Sequence, residues 1–184
     1  MFWCLKKNFS ALFIFLFLGC LFGELIDGDT LVLHPITWET RSPEGWNAQY
    51  KKIIQFPESD GPWAKIIMVQ TLKCDSTTKG DNYPCGEWDY IWNIFVNVPK
   101  ENTVETFSMG SFVTPYGKRL WLGGESGWEW TYDITDYAPI LQGEREVIVG
   151  NNQELLDLKF LFIKGAPARN ILRVENIYPY GHHK

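Results

Sequence analysis

Between Gln49 and Tyr178 apolar and polar residues alternate with a period of two in one short run after another. This is the pattern of strands with one buried and one wetted face. The runs are QYKKIIQF (Gln49–Phe56), AKIIMVQTLKC (Ala64–Cys74), EWDYIWNIFVNV (Glu87–Val98) and TFSMGSFVTP (Thr106–Pro115). They continue with GWEWTYDI (Gly127–Ile134), REVIVG (Arg145–Gly150), LDLKFLFIKG (Leu156–Gly165) and NILRVENIY (Asn170–Tyr178). Turn clusters such as PESDGP, KENT and GGESG separate them. Helical periodicity is almost absent. DITDYAPILQG (Asp133–Gly143) predicts a single turn, capped by Thr135 or Asp136, with Pro139 near its start and Gly143 at its end. Eight short strands at near-regular spacing predict an all-β, eight-stranded antiparallel β-sandwich or jelly roll.

The third run separates into two faces. Trp88, Tyr90, Trp92, Ile94, Val96 and Val98 form an unbroken apolar face, expected to lie on the core. Glu87, Asp89, Ile91, Asn93, Phe95 and Asn97 form the other, so Glu87 and Asp89 project from one side, about 7 Å apart along the strand. Two readings of that pair stand: a solvated outer face, or an acid/base site. A solvated face is the default for such a pair; its place at a strand start, directly after Cys85, strengthens the case for the second, because a firmly anchored backbone is a good platform for a reacting group.

The N-terminal segment is of another kind. Lys6 and Lys7 precede the apolar run ALFIFLFLGCLFG, the layout of a secretory signal over residues 1–23. FLGC (Phe17–Cys20) is similar to a lipoprotein signal, so Cys20 is a possible lipid anchor and the only membrane attachment expected. The chain is therefore expected to be exported: secreted, periplasmic or lipid-anchored at the surface. Cys74 and Cys85 remain as an even pair, predicting one disulfide, since two cysteines without a nearby histidine do not make a zinc site. Residues 24–184 carry 15 basic against 22 acidic groups, a formal charge of −7. That excludes the electrostatic footprint of a nucleic-acid binder. The 9 Trp, 8 Tyr and 12 Phe suit both β-structure and the stacking of sugar rings.

KC…PCGEWDY with FVNV after it, GSFVTPY (Gly110–Tyr116), DITDY (Asp133–Tyr137) and ILQGEREVIV (Ile140–Val149) occur in that order. Together they resemble the peptide-N-glycosidase F family, and more narrowly its N-terminal domain, over residues 24–184. The resemblance implies cleavage of the amide between an asparagine side chain and the first N-acetylglucosamine of an N-linked glycan. It also implies two jelly rolls side by side, an active site in the groove between them, and no cofactor or metal. The family's principal catalytic aspartate falls on Asp89, with Glu87 in the same motif as its support. Where the family has a substrate-contacting arginine this chain has Tyr90, and a second family glutamate falls on Asn152, with Glu154 two residues beyond. A third glutamate belongs to a second jelly-roll domain, which is expected as a partner but absent from this sequence. The resemblance thus implies an amidase domain incomplete without that partner, acting on N-linked glycoproteins.

Two alternatives stand beside it. One is a non-catalytic glycan-binding jelly roll, using Trp121, Trp128 and Trp130 around GGESGWEW as a sugar-stacking lip. Against that, the same tryptophans read more readily as a hairpin packed on the core. The other is a copper-monooxygenase-like domain, which His34, His182 and His183 are too few to support. DGDT (Asp27–Thr30) lacks the remaining ligands of a calcium loop and reads as a turn.

Overall fold

The computed structural model describes residues 28–45, 48–58, 62–77, 85, 88–116 and 121–177. The expected signal segment with Cys20, Glu87, His182 and His183 lie outside the described residues.

Eight strands are present: β1 (Thr30–Ile36), β2 (Gln49–Phe56), β3 (Trp63–Lys73), β4 (Ile91–Lys100), β5 (Thr103–Val113), β6 (Trp128–Asp133), β7 (Gly143–Gly150) and β8 (Leu155–Lys164). They form two four-stranded sheets with orders β1-β8-β3-β6 and β2-β7-β4-β5, every described pairing antiparallel. This is the expected all-β jelly roll. The sheets meet over Ile66, Met68 and Leu72 of β3, Leu156 to Phe162 on the even positions of β8, Ile94 and Val96 of β4, and Val147 and Val149 of β7. Phe56 meets Phe160 and Phe162 with ring centroids 5.5 and 5.9 Å apart, and Trp63 meets Phe162 at 5.3 Å. A polar bond crosses this core: Trp92 Nε1 donates to Gln70 Oε1 at 3.0 Å.

Three expectations need correction. The last predicted strand is absent: residues 171–176 join no sheet. They lie against the β4–β5 hairpin through side chains, with Val174 on the core and Asn176 Nδ2 donating to Thr106 O and Glu105 Oε1. In its place stands β1, an edge strand bulged between Leu33 and Ile36 around Pro35. The bulge and the proline suit an edge, where a missing N–H leaves no ladder bond unmade. Finally, β4 begins at Ile91 rather than Glu87, so Trp88 is not on the core face and is 49 % exposed.

The predicted turn is a 3-10 helix, η2 (Thr135–Ile140), and neither Thr135 nor Asp136 caps it. Asp133 does the work instead: its carboxylate accepts from the Thr135 amide and hydroxyl. Thr135 Oγ1 in turn accepts the Ile66 N–H at 3.0 Å, tying η2 to β3. The Thr135 hydroxyl, then its amide, hold the Asp133 carboxyl below the usual range. A group depressed in the folded state adds stability above its unfolded pKa, and that stability is lost as pH falls through the folded value. Thr135→Val strands the Ile66 N–H in a fully buried residue. It should therefore cost about 1–3 kcal/mol in urea unfolding at neutral pH, and less in acid, where Asp133 is protonated in the wild type as well.

Candidate functional site

In this topology one end of the sandwich collects the β1–β2, β3–β4, β5–β6 and β7–β8 connections, whose described residues are 37–45 and 48, 74–77, 85 and 88–90, 114–116 and 121–127, and 151–154. Every described residue proposed from the sequence as catalytic, substrate-binding or disulfide-forming lies in these connections or in the first three residues of β6. Loops carried on a rigid sandwich are where such fold classes place their chemistry. A groove of about 540 Å³, lined by Lys100, Glu105, Phe107, Arg173 and Asn176 among others, lies at the opposite end, away from these residues.

Asp89 is exposed, and its backbone is held from both directions. Upstream, Cys85 is buried and disulfide-bonded to Cys74, with a Cα–Cα distance of 4.4 Å. Downstream, the β4–β5 ladder ends at the Ile91–Val113 pair. One step further, Thr114 N donates to Tyr90 O at 3.0 Å, and Tyr90 N donates to the Thr114 hydroxyl oxygen at 2.9 Å. The same hydroxyl faces Trp88 O at 3.3 Å. Trp88 packs on Tyr116 with centroids 6.1 Å apart, and both rings remain half or more exposed.

Glu154 and Asn152 are placed differently. Both are 0 % exposed. Asn152 Oδ1 accepts the Glu154 N–H at 3.1 Å, and Gln153 between them takes a left-handed φ of 63°. The Glu154 carboxylate accepts the Asp75 N–H at 3.0 Å and lies, with Cys74 and Cys85 Sγ, in a cluster whose atoms are within 4.8 Å of one another. That is the cluster of metal-ligating side chains among the described residues, and both its sulfurs are taken by the disulfide. Behind it, Tyr50 bonds Ser42 at 3.0 Å, and burial pushes its phenol up. Tyr90, in the position of the family's arginine, is 7 % exposed.

The tryptophans divide between the two uses foreseen for them. Trp128 and Trp130 stack with centroids 5.6 Å apart and planes 5° from parallel. Trp130 packs on the core while Trp128 is 47 % and Trp121 69 % exposed. Gly127, at φ 74°, lets the loop close onto the sheet: a Cβ there would lie 2.8 Å from Thr71 Cγ2 and 3.0 Å from the Trp38 ring. Lys73 covers that ring, its Nζ 4.5 Å from the centroid, so Trp38 is occupied.

No protein-family profile matches the chain. In sequence it is 33 % identical over 87 residues to the peptide-N(4)-(N-acetyl-β-D-glucosaminyl)asparagine amidase F of Elizabethkingia miricola, a match covering 46 % of this chain and 22 % of that protein. In structure it superposes on PNGase F, a glycosylasparaginase from Flavobacterium meningosepticum, with a TM-score of 0.57 at 22 % identity. It superposes on recombinant N-glycanase F with a TM-score of 0.55 at 21 % identity. Both superpositions cover 76 % of this chain and 43 % of the other. The chain is peptide-N-glycosidase F-like. It spans less than half the length of the relatives it matches.

Within this peptide-N-glycosidase F-like domain the structure leaves Asp89 exposed and buries Glu154, Asn152 and Tyr90. The Glu154 carboxylate has no solvent-facing surface and holds the Asp75 amide of the β3–β4 connection. Glu154→Gln keeps an acceptor for Asp75 and should leave stability nearly unchanged. Glu154→Leu removes it and should cost about 1.5–3 kcal/mol in denaturant unfolding, the range for a hydrogen bond to a charged group. Sequence reasoning passed over Thr114, whose only signal was its place in the Thr-Pro-Tyr motif.

Proposed function

We propose that this domain is one wall of an amidase that hydrolyses the bond between asparagine and the first N-acetylglucosamine of exported N-linked glycoproteins. The observation that carries the reading is Asp89: an exposed carboxylate on a backbone pinned on both sides, at the loop-bearing end of a peptide-N-glycosidase F-like sandwich. In this role Asp89 orients a water and accepts its proton as the oxygen adds to the amide carbon. The C–N bond then breaks, the proton goes to the departing nitrogen, and asparagine becomes aspartate. Glu87 supports Asp89 from the same motif. The opposite wall comes from a second jelly-roll domain, because a cleft needs both sides to exclude water and hold a sugar chain. The chain reaches its substrate by export, through the segment at residues 1–23.

A glycan-binding role without cleavage is favoured by one specific observation, the exposed rings of Trp88, Tyr116, Trp121 and Trp128 at the same end. Mass spectrometry of an N-glycopeptide separates the two. The purified chain, alone and mixed with a second jelly-roll domain, is incubated with the peptide. Glycan release with Asn converted to Asp supports the amidase. Saturable binding with no release under either condition supports the binding module and sinks the amidase.

A further inference from the structure

We propose that Thr114 is the positioning residue for Asp89, and that the Thr-Pro-Tyr stretch around it is a clamp on the reacting carboxylate; this rests on the amidase reading above. In an antiparallel pair two facing residues exchange backbone bonds, each N–H going to the other's carbonyl. At the Tyr90–Thr114 step half of that exchange is kept: Thr114 N–H goes to Tyr90 O at 3.0 Å. The other half is not backbone at all. Tyr90 N–H goes to the Thr114 hydroxyl at 2.9 Å, and that hydroxyl has Trp88 O as its acceptor at 3.3 Å. A hydroxyl has one proton to give and lone pairs to receive, so it can serve both peptide groups at once. Those two groups lie on either side of Asp89. These bonds restrain its Cα through the two peptide groups, and its side chain is exposed.

The neighbours of Thr114 complete the device. Pro115 has no N–H and disfavours a helical Thr114, which keeps the threonine extended at the ladder's end. Tyr116 then turns back onto the Trp88 ring. Thr114 is 1 % exposed, so water does not compete for its hydroxyl. Valine has the same shape without the hydroxyl, and serine has the hydroxyl without the methyl, which makes the clamp separable from packing.

The test compares wild type, Thr114→Val and Thr114→Ser, each with the second jelly-roll domain present, and uses Thr135→Val as a control of comparable stability loss remote from Asp89. Thr114→Val should lower kcat about 10- to 100-fold with KM nearly unchanged, the effect of a reacting group misplaced by about an ångström. Thr114→Ser should restore kcat to within a few-fold, and Thr135→Val should leave it alone. Independently of turnover, amide exchange at Tyr90 should quicken roughly tenfold in Thr114→Val and return to the wild-type rate in Thr114→Ser. Wild-type turnover with equal kcat in Thr114→Val overturns the proposal, as does unchanged Tyr90 exchange. A wild type that never cleaves sinks the amidase reading instead, and the clamp is then judged on exchange and its rescue by serine.

Discussion

Asp89→Asn should reduce glycan release by at least about a hundredfold while leaving the thermal midpoint within a degree or two of wild type. The first half follows from chemistry. Asparagine at this position still accepts a hydrogen bond but no longer takes a proton, and a positioned base contributes on the order of 10²–10⁴ in rate. The second half follows from geometry. Among the described residues, the Cys74–Cys85 disulfide and the Thr114 bonds to Trp88 and Tyr90 restrain this segment through its backbone. The Asp89 side chain is exposed, and exposed substitutions away from caps and networks are usually worth half a kcal/mol or less either way. Loss of turnover with stability kept is the signature of a reacting group. If the variant retains activity, the chemistry lies elsewhere. If it instead unfolds, Asp89 was part of the scaffold. Measuring kcat, KM and melting on the same preparation separates the three outcomes.

The sheets were legible in the sequence because each strand buries one face, and a period of two records that directly. β1 escaped because its record is blurred. As an edge strand carrying Pro35 and a bulge, it alternates between exposed and half-buried as far as Pro35, with Val32 51 % exposed and only Ile36 fully buried. ILRVENI shows the reverse error: an alternating run whose bonds go through Asn176 rather than a ladder, a distinction periodicity does not encode. Trp88 was misplaced for the same reason. Alternation runs on through Glu87 and Asp89, but the ladder stops at Ile91, and beyond it one backbone bond and a threonine hydroxyl hold the chain. At the site, Asp89 and the cysteine pair were visible as a motif. The burial of Asn152 and Glu154 was not, because GNNQELL reads as a polar loop. Only the Asn152-to-Glu154 bond, with Gln153 left-handed, shows how that loop folds its polar groups inward.

Replacing both Cys74 and Cys85 by alanine should lower unfolding free energy by about 3 kcal/mol, the value for closing a loop of this size. The two residues are 11 apart in sequence, and the segment between them, DSTTKGDNYP, offers little apolar surface to order it otherwise. Against a typical domain stability of 5–15 kcal/mol this is a large fraction. Urea unfolding reads it as a lower midpoint with an unchanged slope, and reductant should shift the wild type by a similar amount. A shift under about half a kcal/mol would mean that the Glu154–Asp75 bond already orders the loop. The effect on catalysis should be smaller than the effect on stability. Cys85 lies four residues before Asp89, with Gly86 between them, whereas the Thr114 bonds fall on the peptide groups next to it. A restraint four residues away in sequence holds Asp89 less closely than one on its own peptide groups. The double alanine variant should therefore melt well below Thr114→Val yet turn over faster, and a reversal of that order would place the controlling restraint at the disulfide.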